Sequence, residues 1–411
     1  MDYQYATLSN GIRVIHKQAK SPVAHCGVVI DAGSRDEKPD ENGIAHFIEH
    51  VIFKGTTHRK AYHIISRLEN VGGDLNAYTS KEETFIYASF LKQYYHRTLE
   101  LIADILFNST FPEKEIEKEK EVVLDEINSY KDSPSELIFD EFEELLFANY
   151  PIGACILGKP ERVKTFTRDD IRSFMQRNYL TGRMVISSVG DITLDKLLPL
   201  IQKCFGDVAN IPGQNGRHAP TAYFPVKRTD KKSNFQVHSV LGNRAYDIKN
   251  EKKTALALLT NILGGPGMNS RLNLGIREKY GYCYNVEAHY QPYSDTGDFN
   301  IYLGTDSGYI DKSLKLVDKE LKKLREVKLG TLQLHQAKQQ IKGQMAISLE
   351  SNLNEMTSIG KSHLFFEKVD TMTDILAKVE KISASELMEV ANEIFVPDSF
   401  TILTYLPKNE D

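Results

Sequence analysis

The strongest constraint on this chain is that it spells one order of elements twice, roughly two hundred residues apart. "YQYATLSNGIRVIHKQ" holds two β-rich runs around an Asn10–Gly11 hairpin signal, and "VAHCGVVIDAGSRDE" is a further strand. A helix around His46 follows, then the amphipathic "AYHIISRLENVGG", closed by Gly72 and Gly73. "DLNAYTSKEETFIYASFL" reads as two strands joined by a polar turn at Ser80–Glu83. A long helical stretch runs from about Tyr94 to Leu146, with breaks near Phe111–Pro112 and Ser133–Pro134, before "RMVISSVGDI" closes as a buried strand. From Lys232 the order returns: the strand "NFQVHSVLGNRAYDIKN", the apolar helix "KKTALALLTNILGGPGM", and two strands in "CYNVEAHYQPYSDTGDFNIYLGT". Helices over Asp311 to Leu324 and from Leu332 through the 350s lead to the strand "SFTILTYLP".

A repeat of that length is far too long for a solenoid period and predicts two homologous domains, 1–215 and 216–411. The join falls in "IPGQNGRHAPTAYFP", residues 211–225, rich in Pro, Gly and polar residues. Hairpin strands mixed with long amphipathic helices give an α+β class, each domain an antiparallel-rich sheet with helices packed on one face. The copies differ chemically. Where the first has His46, Glu49 and His50, the second has only Leu, Thr, Asn and Ile residues.

Composition narrows the function. A formal net charge of −5 leaves no basic excess for a phosphate backbone, so nucleic acid is not an expected partner. Cys26, Cys155, Cys204 and Cys283 lie far apart with no CxxC pair, which argues against a disulfide framework and a thiolate metal cluster. No run of eighteen apolar residues is present, so no membrane span is expected. The start "MDYQYATLSNG" carries neither a signal-peptide nor a transit-peptide pattern, and the expected location is the cytoplasm.

"GIAHFIEHVIFKGT", residues 43–56, gathers His46, Glu49 and His50 at i, i+3 and i+4 on one stripe of a helix. Two such histidines reach one metal ion, and the order HxxEH is the inverse of the familiar HExxH. Inversion keeps the acid beside a ligand on the same face, so Glu49 can take a proton from water while the histidines bind metal. A hydrolytic zinc site needs a third N or O ligand and one open position. "EIEKEKEVVLDEI" offers five glutamates. Glu115, Glu117 and Glu121 read as a solvated face with Lys114, Lys118 and Lys120. Glu119 and Glu126 are seven apart on one stripe, and spacing alone does not choose between them.

"HFIEHVIFKGT", "GGDLNAYTSKEETFIYA" and "EKEKEVVLDEI" together resemble the pitrilysin/insulinase family of zinc peptidases. Length points to the two-domain subgroup similar to mitochondrial processing peptidase and its bacterial homologues. The resemblance covers essentially the whole chain, including the duplication. It implies one Zn²⁺ per chain held by His46, His50 and Glu126, with Glu119 supporting the site from behind and Glu49 as the base. It also implies that the edge strand around Asn76 and Ala77 takes an extended peptide as an added strand. Arg277 and Tyr284, seven apart in "GIREKYGYCYN", match the pair that in relatives faces substrate and the oxyanion formed on it. "LGGPGM", Leu263–Met268, resembles a shortened form of the family's glycine-rich loop, and a plain helix cap is the alternative there.

What the resemblance implies is a zinc metalloendopeptidase in which two half-shell chains enclose a chamber that admits extended or unfolded peptides. Both site segments are present in this one chain, so a homodimer completing each site in trans is the expected assembly, with a heterodimer as the alternative. Two rival readings stand beside it: a non-catalytic assembly or peptide-binding subunit, and a protease dedicated to one peptide precursor.

Overall fold

The computed structural model describes residues 3–213 and 215–408. The chain forms two compact units, neither contiguous in sequence. The first comprises the residues up to Ile127, Ala154–Arg217 and Ile347–Thr371; the second comprises Asn128–Gly153, His218–Ala346 and the residues from Met372 onward. Each half of the sequence therefore supplies one helical segment to the other unit.

The first unit is built on a six-stranded sheet of β1 (Gln4–Thr7), β2 (Arg13–Gln18), β3 (Val23–Ile30), β4 (Asp74–Thr79), β5 (Thr84–Leu91) and β6 (Met184–Gly190). The strand order is β1-β2-β6-β3-β5-β4, antiparallel except for the β2–β6 pair. The second unit has β7 (Lys227–Lys232), β8 (Val237–Ala245), β9 (Cys283–Pro292), β10 (Gly297–Thr305) and β11 (Thr401–Pro407), in the order β7-β11-β8-β10-β9. Here too one pair, β7–β11, is parallel. From β2 and β7 onward the two orders correspond strand for strand, which is the expected duplication.

Alternation along the strands divides each sheet into two apolar faces. In the first unit Val14, Val28, Ile86 and Ile186 face the core shared with α1 (Ile44–Val51), α2 (Ala61–Glu69) and α3 (Tyr95–Asn108). Their neighbours Ile15, Val29, Phe85 and Val185 face the opposite way, against Met356 and Ile359 of the Asn352–Phe365 helix. The main helical layer thus lies on one face as expected, and a single further helix covers the second. That helix approaches closely: Ser187 Oγ donates to the Met356 carbonyl at 2.6 Å, and a Cβ placed on Gly360 would lie 2.8 Å from Ser187 Cβ. Lys17 pairs with Glu355 at 2.5 Å beside it.

The second unit repeats the plan. Leu241, Val286, Phe299 and Leu303 join the core of the Lys253–Gly264 and Ile310–Glu326 helices. Val240, Leu403 and Tyr405 face Ile138 and Phe142 of α5 (Pro134–Leu146), which follows α4 (Glu113–Lys131). The helical stretch anticipated from Leu332 through the 350s is broken after Ser348, and its second part is the helix on the first unit's sheet. No helix among the described residues is long and apolar enough to cross a membrane.

The Gly360–Ser187 approach leaves no room for a branched side chain. Gly360→Val should lower stability by about 1–3 kcal/mol through overpacking, measured as the shift in urea midpoint; an unchanged midpoint would show that the helix is free to move off the sheet.

Candidate metal centre

The site is built on α1, whose apolar stripe Ile44, Phe47, Ile48 and Val51 is fully buried in the first unit's core. The helix starts at Gly43, which has φ 95° and no side chain with which to cap the first turn. Glu37 does this from six residues upstream. Its Oε2 accepts from Gly43 N and its Oε1 from Ala45 N, both at 2.9 Å, and Asn42 Nδ2 donates to Oε2 at 3.3 Å. Carboxyl oxygens on the N–H groups of a helix start satisfy donors that have no partner within the helix, although burial pushes the Glu37 carboxyl up to about 8.

That anchoring sets the rotation of α1 and aims His46 and His50 at α4. α4 buries Ile116, Val123 and Ile127 on its inner side and carries Glu119 and Glu126 toward the histidines. His46 Nε2 lies 3.7 Å and His50 Nε2 3.3 Å from the same oxygen, Glu126 Oε2. One ligand atom from each of the three side chains lies within 4.8 Å of the other two. His50 Nδ1 is 3.4 Å from Glu119 Oε2, and Glu119 Oε1 takes Lys54 Nζ at 2.7 Å. The imidazole rings stand at 74°, with centroids 4.8 Å apart.

Burial, and secondarily the neighbouring His50, pushes the His46 imidazole down to about 4, so it is neutral near pH 7 and its nitrogen lone pair is free. Burial holds the Glu49 carboxyl above its usual range, opposed by hydrogen bonds from the Thr79 hydroxyl and backbone. Thr79 is the last residue of β4, so Glu49 sits against the end of that strand. Two imidazoles and one carboxylate converging from two helices are a donor set suited to zinc, with one position left for water or substrate. The orienting contact from Glu119 to the far nitrogen of His50 is the partner such a ligand ordinarily has.

Sequence reasoning therefore identified a trio that the fold brings together, and among the described residues it is the one group of this kind. Asn76 and Ala77 lie on β4, an edge strand paired only with β5, opposite Tyr87 and Ile86. Arg277 and Tyr284 belong to the second unit and are exposed, Arg277 on the π-helical turn Asn273–Glu278 and Tyr284 near the start of β9. The Lys253–Gly264 helix, which stands where α1 does, carries no histidine or carboxylate. The glycines of "LGGPGM" end that helix, with Gly265 N bonded back to the Asn261 carbonyl. Glu37, Lys54 and Thr79 were not legible as site residues. Each acts through a neighbour, and the only signal was a second carboxylate six residues ahead of the glycine that opens α1.

A duplicated helix-on-sheet chain with HxxEH on one helix and a glutamate supplied by another defines a two-domain protein of the inverted-zinc-motif class. Residues 13–159 match the insulinase family (peptidase family M16), and residues 165–341 match the peptidase M16 inactive domain. The chain is 34% identical over 395 residues to the uncharacterized zinc protease YmxG of Bacillus subtilis, covering 95% of each. It is 31% identical over 395 residues to an uncharacterized zinc protease of Rickettsia felis, covering 96% of this chain and 95% of that one. In fold it resembles a protease from Helicobacter pylori, with a TM-score of 0.90, 23% identity, and 98% and 99% of the two chains covered. It also resembles a peptidase M16 inactive domain from Pseudomonas fluorescens, with a TM-score of 0.93, 20% identity, and 99% and 98% covered. The chain belongs to the insulinase (M16) family of peptidases.

Removing the cap should loosen the helix that carries the site. Glu37→Ala is expected to cost about 1–3 kcal/mol, the scale of a lost cap that leaves backbone donors unsatisfied, read by thermal unfolding of metal-free protein. Arg177→Ala breaks the Glu41–Arg177 pair at 2.6 Å, which fixes the same loop without touching α1, and should cost less.

Proposed function

We propose that this chain is a zinc-dependent metalloendopeptidase acting on extended or unfolded peptides. The observation that carries the reading is the convergence of His46, His50 and Glu126 next to Glu49, on a helix whose acid contacts the end of an edge strand. His46, His50 and Glu126 hold the ion, one per chain. A zinc ion bound there would supply Lewis acidity toward a water and a substrate carbonyl. Glu119 keeps the His50 ring oriented through Nδ1 while Lys54 balances its charge. Glu49 accepts the proton of the attacking water, and its raised proton affinity suits it to return that proton to the leaving amine.

β4 takes the peptide as an additional strand along Asn76 and Ala77, so that backbone amides supply affinity and the cut falls beside Glu49. Arg277 and Tyr284 contribute a guanidinium and a phenol that hydrogen-bond the substrate carbonyl and the oxyanion. In a homodimer these come from a second copy. The proposed partners are peptides and a second copy of this chain, not nucleic acid or membrane, and the proposed location is the cytoplasm.

The test is cleavage of a mixed set of unstructured peptides by zinc-loaded wild type and Glu49→Gln. Loss of the base should slow cleavage about 10²–10⁴-fold while zinc stays bound. Cleavage by both proteins alike would remove Glu49 from the mechanism. If neither cuts with zinc in place, the chain is an assembly subunit or half of a heterodimer. Glu119→Gln should weaken zinc about 10–100-fold, read by competition with a chromophoric chelator; unchanged affinity would reduce Glu119 to a salt-bridge partner of Lys54.

A further inference from the structure

We propose that the open edge of β7 is a docking site for an acidic, extended peptide segment that adds to the second unit's sheet as a sixth strand. The inference stands apart from the peptidase reading and concerns the other unit. Its starting point is a difference in strand order between the duplicated sheets. In the first unit the outer edge of β2 is covered by β1, running antiparallel with Gln4 opposite His16 and Thr7 opposite Arg13. Ala6 of β1 packs against the core and Leu8 just beyond it is buried there. β7 occupies the position of β2 in the second unit, and among the described residues its only strand partner is β11.

The backbone on that edge is available. Val226 and Lys232 turn their carbonyls toward β11, accepting from Ile402 N at 2.7 Å and Lys408 N at 2.9 Å. Strand alternation then turns the N–H and C=O groups of Lys227, Thr229 and Lys231 outward. Their side chains are exposed and line a groove of about 610 Å³ between the sheet edge and the Ile310–Glu326 helix. Ile310, Leu314, Ile402 and Leu406 give the groove an apolar floor. An alternate side chain of an added strand would rest there, as Ala6 rests on the first unit's core.

Charge selects the occupant. Arg228 is committed to Glu141 and Asp230, whereas Lys227 and Lys231 make no ion pair among the described residues. Asp311 is the single acid on the groove. Lysines on a free edge repel the same edge of another copy, which guards against self-pairing. The same two charges attract a strand that carries carboxylates on either side of an apolar residue.

The test uses full-length protein carrying Glu49→Gln, so that the probe is not cut, and a fluorescein-labelled Glu-Leu-Glu-Leu-Glu peptide followed by anisotropy at low salt. Lys227→Glu with Lys231→Glu should weaken binding at least tenfold. Thr229→Pro should do the same, because it removes an outward N–H and leaves the bonds to β11 in place. If the proline variant fails to fold, the same probe with its central residue N-methylated gives that arm of the test. No binding by the unmodified edge, or binding that neither variant nor the methylated probe weakens, would overturn the proposal. Self-association abolished by Thr229→Pro without peptide binding would also overturn it, by assigning the edge to a second copy.

Discussion

Everything in this chain depends on each sheet being buried on both faces. β6 shows the requirement most plainly: all seven residues of Met184–Gly190 are buried, including Ser187 and Ser188. A strand of that kind cannot be the outer wall of a two-layer domain, because one of its faces would be wet. The second layer over β6 is the Asn352–Phe365 helix, and the second layer over β11 is α5. Each fully buried side chain in these layers contributes about 1.5–3 kcal/mol, so neither unit is complete with its own half of the sequence. The duplication produced two similar sheets, and the exchange of one helix in each direction ties their folding together.

This burial also explains how the fold can bring the candidate metal ligands together where it does. α1 presses Phe47 and Ile48 into a core that is already rigid, and the Glu37 carboxyl fixes where the helix begins. With rotation and rise both set, His46 and His50 have little freedom beyond their own side-chain torsions. α4 is held in the same way by Ile116 and Val123. Two carboxylates, Glu119 and Glu126, then face one imidazole, His50, from either side. Lys54 offsets only one of those negative charges. The remaining excess of negative charge and lone pairs at one point is what a divalent cation neutralises.

Much of this was legible because the signals are local. The HxxEH stripe and the breaks at Pro112 and Pro134 follow from spacing and backbone chemistry over a few residues, whereas the edge position of the Asn76 strand came only with the resemblance. The choice of Glu126 over Glu119 did not follow from spacing, since both lie on one stripe; it needed the resemblance, and in the fold the two differ in which nitrogen of His50 each meets. The helix exchange was not legible. Nothing in "NLNEMTSIGKSHLF" says which of two similar sheets its apolar side will cover, because both offer the same alternating surface. β7 escaped notice for another reason: "KRTDKK" has no apolar alternation, and it forms a strand because β11 supplies a ladder for it.

The divergence of the two copies falls on matching elements and runs in opposite directions. The first unit has two histidines and a glutamate on α1, and it covers the far edge of its sheet with β1. The second has only Ala, Leu, Thr, Asn and Ile through the corresponding part of its helix, and it leaves that edge open. A metal helix and an exposed sheet edge place different demands on a fold. Metal ligands must be held to a fraction of an ångström, which favours a sheet whose β2 side is covered by β1, leaving β4 as an open edge. An open edge must instead expose backbone donors and acceptors, and on β7 lysines deter pairing with another copy. On the proposed readings the first sheet joins its histidine-bearing helix to an open edge at β4, and the second sheet, without such a helix, carries an open edge at the opposite end, β7.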